Sequence, residues 1–110
     1  MSRVRARSQK PAAVFAALGC VTRLELISRL RDGRDYSITE LTDGLDHTRQ
    51  AITKHLRVLQ DAGIINGRRV GRERRFTIRP DPIKQASEYL KRVSNQWDNS
   101  IARLRATVER

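Results

Sequence analysis

The chain has 110 residues, with 23 Lys+Arg against 12 Asp+Glu, a formal net charge of +11 and 38% hydrophobic residues. That is the length of one domain; the basic excess favours a polyanion such as nucleic acid as partner, and so polar a chain buries a small core that a second copy would enlarge. No apolar run approaches the roughly 20 residues that span a bilayer, the basic stretch MSRVRARSQK has no apolar segment behind it and reads as no secretory signal, and a single cysteine forms no internal disulfide, which fits the cytoplasm.

Residues 1–10 hold Arg3, Arg5, Arg7 and Lys10 and read as a basic, mobile arm; a solvated end with no specific role reads equally well. Residues 11–110 read as one domain. Pro11 suits the first turn of a helix, where its missing N–H costs nothing. Ala12, Val14, Phe15, Ala17 and Leu18 follow, and Gly19 stops it. This helix is apolar on most sides and needs a partner helix or a second subunit. Thr22 with Glu25 three residues on spells a capping box for a second helix. Leu24, Leu26, Ile27 and Leu30 would be its buried side, and Gly33 its end. Ser37 or Thr39 opens a short third helix with Leu41 and Leu45 inward, and Gly44 to His47 joins it tightly to the next. Two short helices so joined form a helix-turn-helix.

The stretch Thr48 to Gly63, TRQAITKHLRVLQDAG, reads as a DNA recognition helix. Thr48 is a good N-cap, Ile52, Leu56 and Leu59 recur at helical spacing, and Gly63 stands where a left-handed cap residue is wanted. The other face carries Arg49, Gln50, Thr53, Lys54 and Arg57, with no acid before Asp61. Such side chains bond base edges and phosphates, and a half-apolar helix that presents them suits a major groove. An ordinary solvated helix face is the plainer reading.

After Gly63 the period falls to about two. Ile64 and Ile65 open a strand, Val70-Gly71-Arg72-Glu73 turns it, and RRFTIR returns with Phe76 and Ile78 on one face. The loop and its flanks carry Arg68, Arg69, Arg72, Arg74 and Arg75. An arginine-tipped hairpin just after a helix-turn-helix has the order of a wing, whose tip lies along phosphates or in the minor groove. Charge that blunts an edge hairpin against aggregation is the alternative.

Pro80, Asp81 and Pro82 break the strand, and residues 82–110 form the last helix. Ile83, Ala86, Leu90, Val93, Trp97, Ile101, Leu104 and Val108 recur at steps of 3, 4, 3, 4, 4, 3 and 4, close to a heptad seam. A domain this small cannot cover such a seam throughout. Packing on its own domain would serve the first part and leave Trp97 to Val108 bare, so two copies side by side are expected.

The ordered set FAALGCVTRLELISRL, SITELTDGL, TRQAITKHLRVLQDAGII and GRRVGRERRFTI resembles the ArsR-type winged helix-turn-helix transcriptional regulators over nearly the whole chain. ITKHLRVLQDAGII carries most of the resemblance. It implies a mainly α fold with a small β-hairpin and a long C-terminal dimerisation helix. It further implies a homodimeric repressor whose recognition helices enter successive major grooves of an inverted repeat. Carried over residue by residue, Thr48, Arg49, Gln50, Thr53 and Lys54 read bases, with Arg57 on the same face. His55 matches a family-typical histidine and either touches phosphate or supports packing. Arg69, Arg72, Arg74 and Arg75 belong to the wing. Val14, Phe15, Leu18, Leu90, Val93, Trp97, Ile101, Leu104 and Val108 supply the dimer contacts.

Many relatives sense metals through converging Cys, His or carboxylates. Here the third helix lacks the cysteine pair of the thiolate sensors, the last helix has neither His nor Cys, and only Cys20, His47 and His55 remain as soft ligands. We therefore expect no metal and no cofactor. Cys20 reads as a small buried residue, though the nearby Arg23 would favour its thiolate if both are exposed and leave a redox-responsive repressor open. No phosphate-binding glycine loop, nucleophile–histidine set or carboxylate pair is present, so no enzyme is expected. The expected partners are double-stranded DNA and a second copy, with no membrane; the sequence names no inducer. A nonspecific nucleic-acid coat or a protein-interaction module built on the last helix would share the same charge and seam.

Overall fold

The structure, a computed structural model, describes the backbone of residues 3–109 and the side chains of residues 11–109. The side chains of the basic arm expected over residues 1–10 lie outside the described residues. Eight elements follow in order: α1 (Arg3–Leu18), α2 (Val21–Leu30), β1 (Tyr36–Ser37), α3 (Ile38–Thr42), α4 (Arg49–Asp61), β2 (Ile65–Val70), β3 (Glu73–Ile78) and α5 (Pro80–Val108). The strands form one antiparallel sheet in the order β1-β3-β2. The fold is the expected winged helix-turn-helix, mainly α, with a long C-terminal helix.

Four expectations need correction. The first helix does not begin at Pro11: α1 starts at Arg3 and holds Pro11 inside it. Pro11 sacrifices one i→i−4 bond there, a cost that made the first turn the natural place to put it. Thr22 and Glu25 form no capping box. Cys20 takes the extended N-cap backbone (φ −148, ψ 129) and Val21 is already helical, which pushes Thr22 inside. The box forms instead at Ser37, whose hydroxyl accepts from the Glu40 amide while the Glu40 carboxylate accepts from the Ser37 amide. Leu24 is 50% exposed, because it sits about 200° around the helix from the buried Leu26. Val14 is buried inside its own chain beside Ala17 rather than free for a partner.

The core gathers Leu26 and Leu30 of α2, Leu41 of α3, Ile52, Leu56 and Leu59 of α4, Ile64, Ile65, Phe76, and Ala86 of α5. α4 ends in a Schellman motif: the Gly63 amide donates to Gln60 and the Ile64 amide to Leu59. Gly63 sits at φ +78, where a side chain would be strained. The chain then drops straight into β2, so the hairpin is fixed to the end of α4. β2 and β3 pair from Ile65↔Ile78 to Val70↔Glu73. Gly71 is at φ +64, and no other residue of the turn has a positive φ, which makes Gly71-Arg72 a type II′ turn. β1, which the sequence reading left out, adds Tyr36↔Phe76 and Ser37↔Arg75 to the outer edge of β3.

α1 and α5 run in step. Pro11 and Val14 face Pro82 and Ala86 across a cleft of about 600 Å³, and Phe15 meets Tyr89 with ring centroids 6.0 Å apart. α1 stops at Leu18, whereas α5 continues for fifteen residues past Val93, to Val108. That projection gives the molecule its long axis, 68 Å against 37 and 22 Å.

Candidate nucleic-acid interface

α3 and α4 form the helix-turn-helix. Arg29 of α2 braces its turn by donating to the carbonyls of Leu41 and Asp43. The α4 N-terminus is held by Thr48, whose hydroxyl oxygen accepts from the Ala51 amide at 3.1 Å. With Ile52, Leu56 and Leu59 buried, helical geometry turns Arg49, Gln50, Lys54 and Arg57 outward as exposed side chains, and Thr53 half-buried between them. These five line one continuous shallow surface. The Thr53 hydroxyl donates to the Arg49 carbonyl, so toward an outside ligand it offers its oxygen as an acceptor. The positive, amide-rich N-terminal end of α4 adds to the cationic field.

On the hairpin the arginines divide into two sets. Arg69, Arg72 and Arg74 make no ion pair among the described residues, and they are exposed. Arg74 also lies over the Phe76 ring, 5.9 Å from its centroid, which holds it at the side of the strand. Arg75 is different. The Ser37↔Arg75 register brings it to the N-terminus of α3. There it pairs with Asp35 at 3.2 Å, Glu40 at 3.0 Å and Glu73 at 3.0 Å, and donates to the Asp35 carbonyl. Its pKa is raised by the Asp35 bond first, with Glu73 and Glu40 adding to it. The Arg68 and Arg75 bonds hold the Asp35 carboxyl below its ordinary range. The Ser37 bonds do the same for Glu40. We therefore correct Arg75 from a candidate wing contact to the strut that ties the wing to the helix-turn-helix. Arg68, paired with Asp35 at 3.2 Å, shares that work.

His55 is half-buried and turned toward Arg23 of α2. Its Nδ1 lies 3.3 Å from Arg23 Nη1, and burial, with Arg23 and His47 nearby, pushes its pKa down. These contacts support packing, one of the two open alternatives. Cys20 is half-buried at the head of α2, where the Arg23 amide, its largest influence, lowers the thiol pKa. Among the described residues no three His, Cys, Asp or Glu side chains converge as a metal site would need.

The seam on α5 is bare beyond the reach of α1. Val93 is half-buried, whereas Leu90 is 54% exposed, Trp97 65%, Ile101 47%, Leu104 65% and Val108 77%. Phe15 and Leu18 are half-covered by the chain's own core. Tyr89, exposed beside Phe15, was not among the expected contacts; its position one residue before Leu90 was the available signal. Asp35 and Glu40 have no pairing role that the sequence shows, and Arg23 none beyond its nearness to Cys20, because each meets its partner across a distance that only folding closes. Among the described residues no single helix is long and apolar enough to cross a membrane.

A basic recognition-type helix beside an arginine-bearing hairpin defines a helix-turn-helix transcriptional regulator, and comparison with known proteins agrees. Residues 21–68 match the helix-turn-helix domain family. An uncharacterized HTH-type transcriptional regulator of Bacillus subtilis, YuzN, is 38% identical, over 66% of this chain and 85% of that one. An ArsR-like transcriptional regulator from Rhodococcus sp. RHA1 superposes with a TM-score of 0.75 at 35% identity, covering 90% of this chain and 92% of that one. The homodimeric winged helix-turn-helix DNA-binding domain Mb0332 of Mycobacterium bovis shares the fold, with a TM-score of 0.69 at 18% identity over 90% and 92% of the two chains. The chain belongs to the ArsR family of winged helix-turn-helix transcriptional regulators.

Proposed function

We propose that the protein is a homodimeric, cytoplasmic repressor that binds an inverted-repeat operator. The observation that carries this reading is the acid-free outer face of α4, Arg49 to Arg57, set beside Arg69, Arg72 and Arg74, which have no ion-pair partner among the described residues. Positive charge that the fold leaves uncompensated is available to phosphates. Gln50, near the N-terminal end of α4, suits an adenine edge, and Arg49 or Lys54 a guanine edge, each good pair discriminating by about 1–3 kcal/mol. Arg57 and the hairpin arginines hold the register on the backbone. Two-fold pairing through α5, with Phe15, Leu18 and Tyr89 at its margin, covers the bare seam. It also sets two α4 helices about one duplex turn apart. Mb0332, of the same fold, is itself homodimeric.

Selection from a random duplex pool tests this reading, with the winners measured against scrambled DNA at two salt concentrations. The expected result is an enriched inverted repeat bound roughly a thousandfold more tightly than scrambled sequence. Equal affinity for every duplex with a steep salt slope would make the basic face a coating surface and discard the repressor reading.

A further inference from the structure

Arg23 occupies a junction that the DNA-facing surface does not include. Its Nε donates to the Ala17 carbonyl and its Nη2 to the Ala16 carbonyl at 3.3 Å. Those carbonyls lie in the last turn of α1, where the helix dipole favours a cation; the Ala16 carbonyl also accepts from the Gly19 amide. The remaining arm of the guanidinium, Nη1, reaches His55 Nδ1 on α4. One residue back, Thr22 Oγ1 hydrogen-bonds His47 Nε2 at 3.3 Å, in the turn that leads into α4. The His47 and His55 rings stand edge to face with centroids 6.2 Å apart. The head of α2 therefore joins the end of α1 to both ends of one short segment, the turn before α4 and the second turn of α4 itself.

We propose that Arg23 is a positioning residue for DNA binding: it locks the seat of α4 to the C-terminal end of α1 through a neutral His55. The inference rests on the reading of α4 as the DNA-binding helix. Its physical content is a choice of tautomer. A guanidinium only donates, so His55 Nδ1 accepts and the ring proton resides on Nε2. A second proton on His55 would remove the acceptor and set an imidazolium against a guanidinium. The charged or titratable groups facing the ring are Arg23 of α2 and His47 of the turn, both of which oppose that proton, as burial does. The hydrogen bonds that Arg23 makes to α1 both go to backbone carbonyls. Because α1 also packs along α5 beside the bare seam, the bond places the recognition helix and the dimer side of the molecule on one rigid connection.

The sign of the pH response separates this role from others. Below the ordinary histidine range near 6.5, protonated histidines on a DNA-binding surface strengthen binding by adding charge. Protonating His55 breaks the lock and weakens it. As pH falls below the ordinary histidine range, preference for the selected operator over scrambled duplex should fall, by about tenfold once His55 takes its second proton, the worth of one hydrogen bond to a charged group. His55→Asn, which keeps an acceptor near Nδ1 and cannot titrate, should abolish that fall. Arg23→Lys should lower the preference at pH 7.5 by about tenfold while thermal unfolding shows the variant folded at the assay temperature. If Arg23→Lys does not fold, the two pH profiles decide. Coincident profiles for wild type and H55N, or a preference that rises with acid, would overturn the proposal. Nitrogen NMR of the His55 ring supplies a test that needs no DNA: a proton on Nδ1 at pH 7.5 also overturns it. A wild type with no operator preference at pH 7.5 would sink the regulator reading instead, and the tautomer would then decide the lock by itself.

Discussion

Gly67 is where the wing root passes beneath the end of the recognition helix, and Gly67→Ala measures how tightly the two are joined. A Cβ there would lie 2.9 Å from Phe76 Cε1, 3.0 Å from Arg74 Nη2 and 3.2 Å from Gln60 Oε1. The two polar atoms end flexible side chains and swing aside at little cost. The Phe76 ring does not: it lies directly across from Gly67 in the β2–β3 ladder, opposite Tyr36 on its other side, and is only 3% exposed. Moving a buried ring by about half an ångström is an overpacking change of about 1–3 kcal/mol. Loss of glycine's freedom in the unfolded chain returns about 0.4–1 kcal/mol. The net of about 1–2 kcal/mol lowers the Tm of a domain this size by about 5–10 °C. Thermal unfolding followed by circular dichroism, at fixed protomer concentration because association shifts Tm, gives the answer. A Tm equal to or above that of wild type would show that the hairpin root is slack and that the wing is not held to α4 by this contact.

Other outcomes follow from the same geometry. Ile101→Glu puts a carboxylate in the middle of the bare α5 seam. It should convert the proposed dimer to a monomer in light scattering at micromolar concentration, whereas an unchanged mass would place the pairing surface elsewhere. Arg72→Ala should weaken every duplex alike and lower the salt slope by about one, while Gln50→Ala should relax preference at one base position and leave the slope intact; exchanged phenotypes would mean that wing and helix roles are misassigned. Asp35 and Glu40 have folded pKa values below their unfolded ones. Their stabilisation is therefore present above the unfolded carboxylate range and lost as pH falls below about 4. Acid unfolding of Arg75→Ala should then show a shallower loss across that window than wild type, and parallel curves would show that the cluster contributes nothing.

Local rules and long-range contacts divide this chain unevenly. α4 was legible because every signal needed to form it lies within sixteen residues: the Thr48 cap, the Ile52–Leu56–Leu59 stripe and Gly63 at a positive φ. The hairpin was legible because a II′ turn demands glycine at its first central position and Gly71 supplies it. The α5 seam was legible because no element of so short a chain could cover it. The strand β1 was not, since two residues carry no period and pair only once β3 is in place.

The sequence by itself determined the order of the helices and the hairpin, the face of α4 left polar and the apolar seam along α5, because each depends on spacing within one segment. Tertiary structure alone decided which of two identical patterns was used. Thr22-x-x-Glu25 and Ser37-x-x-Glu40 spell the same capping box, and only the extended backbone at Cys20 excludes the first. Arg74 and Arg75 are neighbours of equal charge, yet among the described residues one pairs with no acid and the other with three, because strand alternation and the Ser37 register send them to opposite sides. Arg23 and His55 meet across 32 positions. Chemistry that joins residues so far apart depends on the free energy of packing the core between them, and no local pattern encodes it.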